Sequence, residues 1–373
     1  MSEIQREIEK FSAHMENVPP DTLVGQYIKS INALIEAKDE RFLKEYQPII
    51  REEQKNYTGK RPFLSVVIRT QGKRPEMLRE ALLSLGAQTD DDFEVILIGH
   101  KLNEDQNSLV SQILSDMPQK LRDMIRFIKL DYGNRATPLN IGFSYARGEY
   151  ISILDDDDLV FDNWVDEFHK AAREKDGRIL HAYTIAQDWE VVNTDCGLKG
   201  LRAVSPLKDI FCEDFVMIKQ LEMNTCPLGG LSFPAYAFRE LGIIFDETLD
   251  TTEDWDFLMR TSFVTGVKDI RVPTYFYRLW VNAENSASVH DQNEWKNNYD
   301  KIQEKFISMP VILPAGEIKV HKIETVRTNT DPAYGQIPLR LAIKERIRRR
   351  IPKFIWIPAK KLYRFFGGKK WLG

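Results

Sequence analysis

Tyr150-Ile151-Ser152-Ile153-Leu154-Asp155-Asp156-Asp157-Asp158 is the stretch from which the rest of the chain can be read. Its first half is apolar and β-branched, the character of a buried strand, and it ends in four acids. Four carboxylates in succession repel one another, so a strand end of this kind calls for a cation. A hard divalent ion such as Mg²⁺ or Mn²⁺, carrying a phosphate on its far side, suits carboxylates at this spacing. A solvated acidic loop or a calcium site is the plainer alternative, and these nine residues leave both open.

Working outward toward the N-terminus, the chain alternates strands with helices. Phe63 to Ile68, Phe93 to Ile98 and Arg126 to Leu130 are compact apolar runs. Between them lie a helix opened by Pro75 with Leu78, Ala81, Leu82 and Leu85 on one face, and a second helix around Ser108 to Leu114. A third begins near Pro138 and closes at Gly148, a C-terminal cap. This rhythm predicts an α/β fold, an open and mostly parallel sheet with helices on both faces. Such sheets bind ligands at the carboxyl ends of their strands, where Asp155 to Asp158 fall. Residues 1–60 read as a helical N-terminal extension, from Ile4, Ile8, Phe11 and Met15 and then Val24, Tyr27, Ile28, Ile31, Leu34 and Ile35. Packing on the main domain accounts for them, and a coiled-coil partner site is the rival account.

About 100 residues beyond the first acidic run stands Glu253-Asp254-Trp255-Asp256, at the start of a predicted helical run through Arg260. A carboxylate in a cleft takes a proton from an attacking hydroxyl. Acids also favour the positive end of a helix dipole, and the group by itself does not choose between the two.

The 373 residues, 43% hydrophobic and 29% charged, suit a globular protein with a sizeable core. Cys196, Cys212 and Cys226 are too few and too irregularly spaced for a disulfide framework or a zinc site. The polar start lacks a secretory signal and no apolar run is long enough to span a bilayer, so a cytoplasmic protein is expected. The net charge of -4 is unevenly spread: residues 338–373 hold 12 Lys or Arg against Glu345 alone. An acidic body with a basic tail argues for an anionic partner of the tail and against a general nucleic-acid-binding surface.

The order and spacing of several segments from Leu64 to about Ser288 resemble a glycosyltransferase family 2 domain of the GT-A, Rossmann-like fold. The segments are Ser65-Val66-Val67-Ile68-Arg69-Thr70, Asn140-Ile141-Gly142, Ala146 to Ile151 leading into the acidic run, Gly242 to Glu247, Glu253 to Asp256, and Tyr277-Arg278-Leu279. The resemblance implies inverting transfer of a sugar from a nucleotide-diphosphate donor (UDP-, GDP- or dTDP-sugar) to a hydroxyl of a glycan or lipid-linked acceptor, with Mn²⁺ or Mg²⁺ as cofactor. Asp155 and Asp157 match the family's DXD metal motif, Asp155 contacting ribose or metal and Asp157 the metal bridging the diphosphate. Asp254 matches its general base. Arg69, Thr70 and Asp156 fall on the donor side. Arg135 either pairs with a phosphate or is a surface arginine. Gly229, Gly230, Glu253, Trp255, Asp256 and Trp280 fall on the acceptor side, with Trp280 offered as a sugar-stacking ring. The chain departs from the family pattern in three places: Ile98-Gly99-His100-Lys101 where an Asp is usual, Arg69 where Pro is common, and Trp280 where relatives carry a metal-ligating His. His290 is a candidate replacement for that ligand.

These readings divide the chain into a helical extension (1–60), the GT-A domain (61–290), a connecting segment (291–337) and a basic amphipathic tail (338–373). The tail interleaves Arg346, Arg348, Arg349, Arg350, Lys353 and Arg364 with Phe354, Trp356, Phe365 and Phe366, the composition of an interfacial segment on an anionic leaflet. The expectation is a peripheral enzyme on the inner face of the plasma membrane, working in bacterial surface polysaccharide synthesis. A non-catalytic GT-A scaffold and a sugar nucleotidyltransferase are the alternatives. The second lacks the basic, glycine-rich N-terminal loop it needs and leaves Asp254 unexplained.

Overall fold

The structure, a computed structural model, describes residues 19, 21–36, 40–174, 176–193, 199–282, 292–307 and 311. The helix expected over Ile4 to Met15, His290 and the basic tail lie outside them.

Helix α1 (Leu23–Glu36) and a π-helical turn (Phe42–Tyr46) running into α2 (Gln47–Asn56) precede the sheet. Then follow β1 (Leu64–Thr70), α3 (Pro75–Gly86), β2 (Phe93–His100), α4 (Glu104–Asp116), α5 (Gln119–Met124), β3 (Ile125–Leu130), α6 (Thr137–Tyr145) and β4 (Tyr150–Ile153). Strands β3, β2, β1 and β4 lie side by side and all pair in parallel. The second half comprises β5 (Leu159–Val160), α7 (Trp164–Ala172), β6 (Ile179–Asn193), β7 (Lys199–Ala203), α8 (Met217–Glu222), β8 (Leu231–Pro234), α9 (Ala235–Arg239), α10 (Glu253–Thr265), β9 (Val267–Trp280) and α11 (Gln292–Phe306). Beyond β4 the sheet is mixed: β8 is antiparallel to both β4 and β6, while β6 and β9 are parallel. The parallel reading therefore holds up to β4. A short helical turn at Leu228–Gly230 leads into β8, which runs reversed between its two neighbours.

Alternation along β1 shows both faces covered. Val67 packs with Ile96, Ile98, Phe143 and Phe257 on one side, and Val66 and Ile68 pack with Leu78, Leu82, Leu97 and Trp164 on the other. Each such side chain contributes about 1.5–3 kcal/mol on burial. Helix α6 lies so close to β1 that a Cβ on Gly142 would sit 2.3 Å from Val67 Cγ1, and glycine is required there. Phe42, Tyr46 and Ile50 of the extension are buried in the first of these cores.

Two details place the site. Val67 is in register with Ile153, and the Leu154 amide donates to the Val67 carbonyl at 3.0 Å. The chain leaving β4 thus emerges beside Arg69 and Thr70 at the carboxyl end of β1. Helix α10 starts after Thr252, whose φ of 61° is left-handed, a rare conformation for a β-branched residue.

Candidate active site

The four acids have four different environments. Asp156 is buried, accepts from Thr70 Oγ1 at 2.6 Å and pairs with Arg74 Nη2 at 2.6 Å. Asp157 pairs with the other arm of the same guanidinium, Arg74 Nη1. Asp158 is buried, accepting from Tyr275 Oη and from the Arg278 amide, each at 2.7 Å. Asp155 is the most open, its side chain 32% exposed and 3.8 Å from Arg69 Nη2. The cation that the sequence demanded is thus supplied in part by Arg74, forked across two neighbouring carboxylates. Arg278 adds a second positive group, its Nε donating to the Asp157 carbonyl at 2.5 Å.

These arginines do not neutralise the run. Burial, followed by the charges of Asp156 and Asp155, outweighs Arg74 and pushes Asp157 up to about 7. Burial and the charges of Asp157 and Asp155 hold Asp158 well above the ordinary carboxylate range. Among the described residues no group of three or more His, Cys, Asp or Glu converges as a ready-made metal cage. Asp155 and Asp157 supply two hard oxygen donors in a site with excess negative charge. That donor set fits an ion held by one or two carboxylates together with phosphate oxygens.

The second acidic group faces the first across the cleft. Glu253 is fully buried and joins Arg69 Nη1 (3.0 Å) and Arg135 Nε (2.8 Å). Arg69 also donates to the Arg135 carbonyl at 2.6 Å, so one guanidinium spans from Glu253 toward Asp155. Against the cost of burial, Arg135 and Arg69 hold Glu253 below its ordinary value. Asp254, next along, has neither arginine as a direct partner. It accepts from Asn224 Nδ2 at 3.0 Å and from the Trp255 amide at 2.8 Å. Burial and the adjacent Glu253 charge push it up to about 6. Two neighbouring carboxyls thus differ in character: Glu253 stays ionised as a tether for arginines, and Asp254 is tuned to exchange a proton near neutrality.

The structure corrects several acceptor-side expectations. Glu253 faces the donor-side arginines Arg69 and Arg135, since both need its charge. Trp255 is 2% exposed and its Nε1 donates to the Gln220 carbonyl at 2.7 Å, so it belongs to the core under α11. Asp256 is fully buried between Arg260 and Lys305, an internal ion pair. Trp280 is 6% exposed, packed against Trp189 and beneath the Arg278 guanidinium, and has no free face for a sugar. Gly229 and Gly230 are required by internal packing: a Cβ on Gly229 would fall 1.8 Å from the Tyr275 ring, and one on Gly230 2.6 Å from Thr184 Oγ1. His100, where the family has an acid, is buried with Nε2 at 2.9 Å from the Tyr132 carbonyl, and burial keeps it below its ordinary value.

Sequence reasoning missed Arg74, Tyr275 and Asn224, and it named Arg278 only within a motif, without a role. Arg74 had a visible signal, since Gln71-Gly72-Lys73-Arg74 follows β1 directly and so opens onto the cleft. Tyr275, Arg278 and Asn224 converge from 30 to 120 residues away, and the residues beside them do not disclose their partners.

Residues 65–193 match the family model "Glycosyl transferase family 2". An uncharacterized glycosyltransferase of Rickettsia felis is 26% identical over 62% of this chain and 36% of its own length. One of Haemophilus influenzae is 24% identical over 62% and 70%. The GalNAc(5)-diNAcBac-PP-undecaprenol beta-1,3-glucosyltransferase of Campylobacter jejuni is 29% identical over 42% and 48%. The chain thus spans little more than a third of the Rickettsia relative and under half of the Campylobacter one. With β3-β2-β1-β4 in parallel and the acidic run at their carboxyl ends, residues 65–193 carry the sequence pattern of a glycosyl transferase family 2 domain on an α/β sheet.

Proposed function

We propose that the chain transfers a sugar, with inversion, from a nucleoside diphosphate donor to a hydroxyl of a glycan or lipid-linked acceptor. The observation that carries this is the pairing of two carboxylate centres at one strand edge, Asp155 to Asp157 and Asp254, with Arg69 and Glu253 between them. In the reaction, Asp254 accepts the acceptor's hydroxyl proton, and the oxygen lone pair forms the new bond to the anomeric carbon. The bond from that carbon to the diphosphate breaks on the opposite face, and its electron pair leaves with the nucleoside diphosphate. Displacement from the opposite face inverts the anomeric configuration. Arg69 and Arg135 retain donor groups toward the diphosphate, because Glu253 engages Arg135 only through Nε. Asp155 and Asp157 would hold Mg²⁺ or Mn²⁺, which when bound supplies charge stabilisation for the leaving diphosphate. Arg74 keeps Asp156 and Asp157 together and oriented.

The lipid-linked acceptor is supported by the name of the Campylobacter relative, whose acceptor is an undecaprenyl-diphosphate glycan. The basic, aromatic composition of residues 338–373 supports peripheral attachment to an anionic membrane face. The test is release of nucleoside diphosphate from UDP-, GDP- and dTDP-sugars with Mn²⁺, in the wild type and in Asp254→Asn. Transfer or slow donor hydrolysis by the wild type, lost with Asp254, is expected. No release from any donor would turn the reading toward a scaffold that kept the fold.

A further inference from the structure

The end of the sheet opposite the acidic cleft carries a second cluster of charge. Arg61 precedes β1, Arg147 precedes β4, and Arg239 closes α9. They line a shallow recess together with Glu53, Tyr57 and Ile50 of α2 and its end. A seven-residue strand separates it from the cleft, roughly 20 Å at about 3.3 Å per residue.

The cations here exceed the anions that bind them. Glu53 is shared: Arg126 Nη1 reaches both its oxygens at 2.9 and 3.0 Å, and Arg147 pairs with it at 2.9 Å. Arg147 also lies 4.7 Å from the Tyr57 ring centroid, which fixes its plane at the wall. Arg239 has no carboxylate partner among the described residues. Its Nη2 donates to the Ala146 and Gly148 carbonyls at 2.6 and 2.9 Å, and its Nε and Nη1 donate to no described residue. Arg61 is exposed and has no ion pair among the described residues. Burial, and after it the charge of Arg61, holds Arg239 down to about 10, although Glu240 and Glu94 act in the opposite direction. Two guanidinia that repel each other beside a recess, with donors to spare, match the oxygens of a phosphate.

We propose that the recess between Arg61, Arg147 and Arg239 binds a phosphate group, carried either by a small soluble anion or by a lipid headgroup. Arg239 and Arg147 form the fixed part, held by main-chain carbonyls and by Glu53, and Arg61 closes over the ligand from the rim. The site does not depend on the reaction proposed for the cleft, since no residue is common to both.

The test uses the full chain and two arms. Calorimetric titration with pyrophosphate compares the wild type, Arg61→Glu and Arg239→Gln. Sedimentation with phosphatidic acid vesicles, against phosphatidylcholine alone, compares the wild type with Arg61→Glu, both carrying residues 338–373 so that the tail cancels. Expected is saturable binding in at least one arm, weakened tenfold or more by Arg61→Glu. Loss in the titration alone identifies a soluble anion, and loss in the sedimentation alone identifies a headgroup. Arg61→Glu keeps the test valid if Arg239→Gln, which frees two carbonyls, fails to fold. Equal binding by wild type and Arg61→Glu in both arms, or none in either, overturns the proposal.

Discussion

Replacing Asp254 by Asn should slow the protein's chemistry and stabilise its fold. Its carboxyl sits at about 6 against an ordinary 3.8, because burial and Glu253 disfavour the charged form. A shift of about two units at 1.36 kcal/mol each corresponds to about 3 kcal/mol of strain on the ionised group in the native state. The sign follows from proton binding. Between pH 3.8 and 6 the native carboxyl holds a proton that the unfolded chain releases, so this group costs most above pH 6 and nothing below 3.8. Asn removes that cost. It keeps one of the two hydrogen bonds now accepted from Asn224 and the Trp255 amide, and losing the other returns about 1 kcal/mol. The net expectation is a gain of about 1–2 kcal/mol at pH 7 that vanishes or reverses near pH 4. Urea midpoints of the two proteins across that range measure it. In parallel, turnover should fall by roughly 10²–10⁴ with donor affinity kept, as for loss of a general base. Wild-type kcat/KM should itself decline about tenfold per pH unit below about 6. A variant that turns over at the wild-type rate refutes the role. One whose stability difference does not change with pH refutes the electrostatic account of the carboxyl.

Other outcomes follow from the same geometry. A nucleoside diphosphate should bind more tightly with Mn²⁺ or Mg²⁺ than with EDTA, and Asp157→Ala should abolish the difference; calorimetry showing equal affinity in wild type refutes the metal. Gly229→Ala should destabilise by about 1–3 kcal/mol through its clash with Tyr275, the residue that holds Asp158, as read by thermal unfolding. Deleting residues 338–373 should release the chain from anionic vesicles in a sedimentation assay, since each Lys or Arg near such a surface is worth about 1 kcal/mol. Equal pelleting of both forms rules the tail out as an anchor.

The parts of the fold visible in the sequence were those with a period. Strands β1, β2 and β4 stood out as apolar runs because both their faces are buried, and the acidic run at the end of β4 placed the cleft. Helix α4 starts earlier than Ser108, at a capping box of Asn103 and Gln106 whose spacing was there to be read. What the sequence could not convey was the partner of each charge. Asp256 looks like a cleft residue until Lys305 arrives from α11, although Arg260, four residues on, was a legible hint. Trp280 looks like a sugar platform until β6 brings Trp189 against it. Asp158 is indistinguishable from Asp157 in a run of four. Only Tyr275 and Arg278, more than a hundred residues later, make one a structural strut and leave the other facing the cleft.

The loop leading to Asp254 is fastened from the far side of the sequence. Glu247 receives Arg41 at 2.6 Å, Thr137 at 2.8 Å and Asn140 at 3.0 Å, and also the hydroxyl of Tyr46. Two of these four partners come from the extension, whose Phe42 and Tyr46 fill the core beneath. The segment that the recognisable motifs delimit is therefore smaller than the segment that can stand alone. A chain trimmed to begin at residue 61 would retain every residue proposed to touch the donor sugar. It would also expose an aromatic cavity and unfasten the loop at Glu247, seven residues before the proposed base. Engineering of this protein should treat residues 40–60 as belonging to the catalytic body.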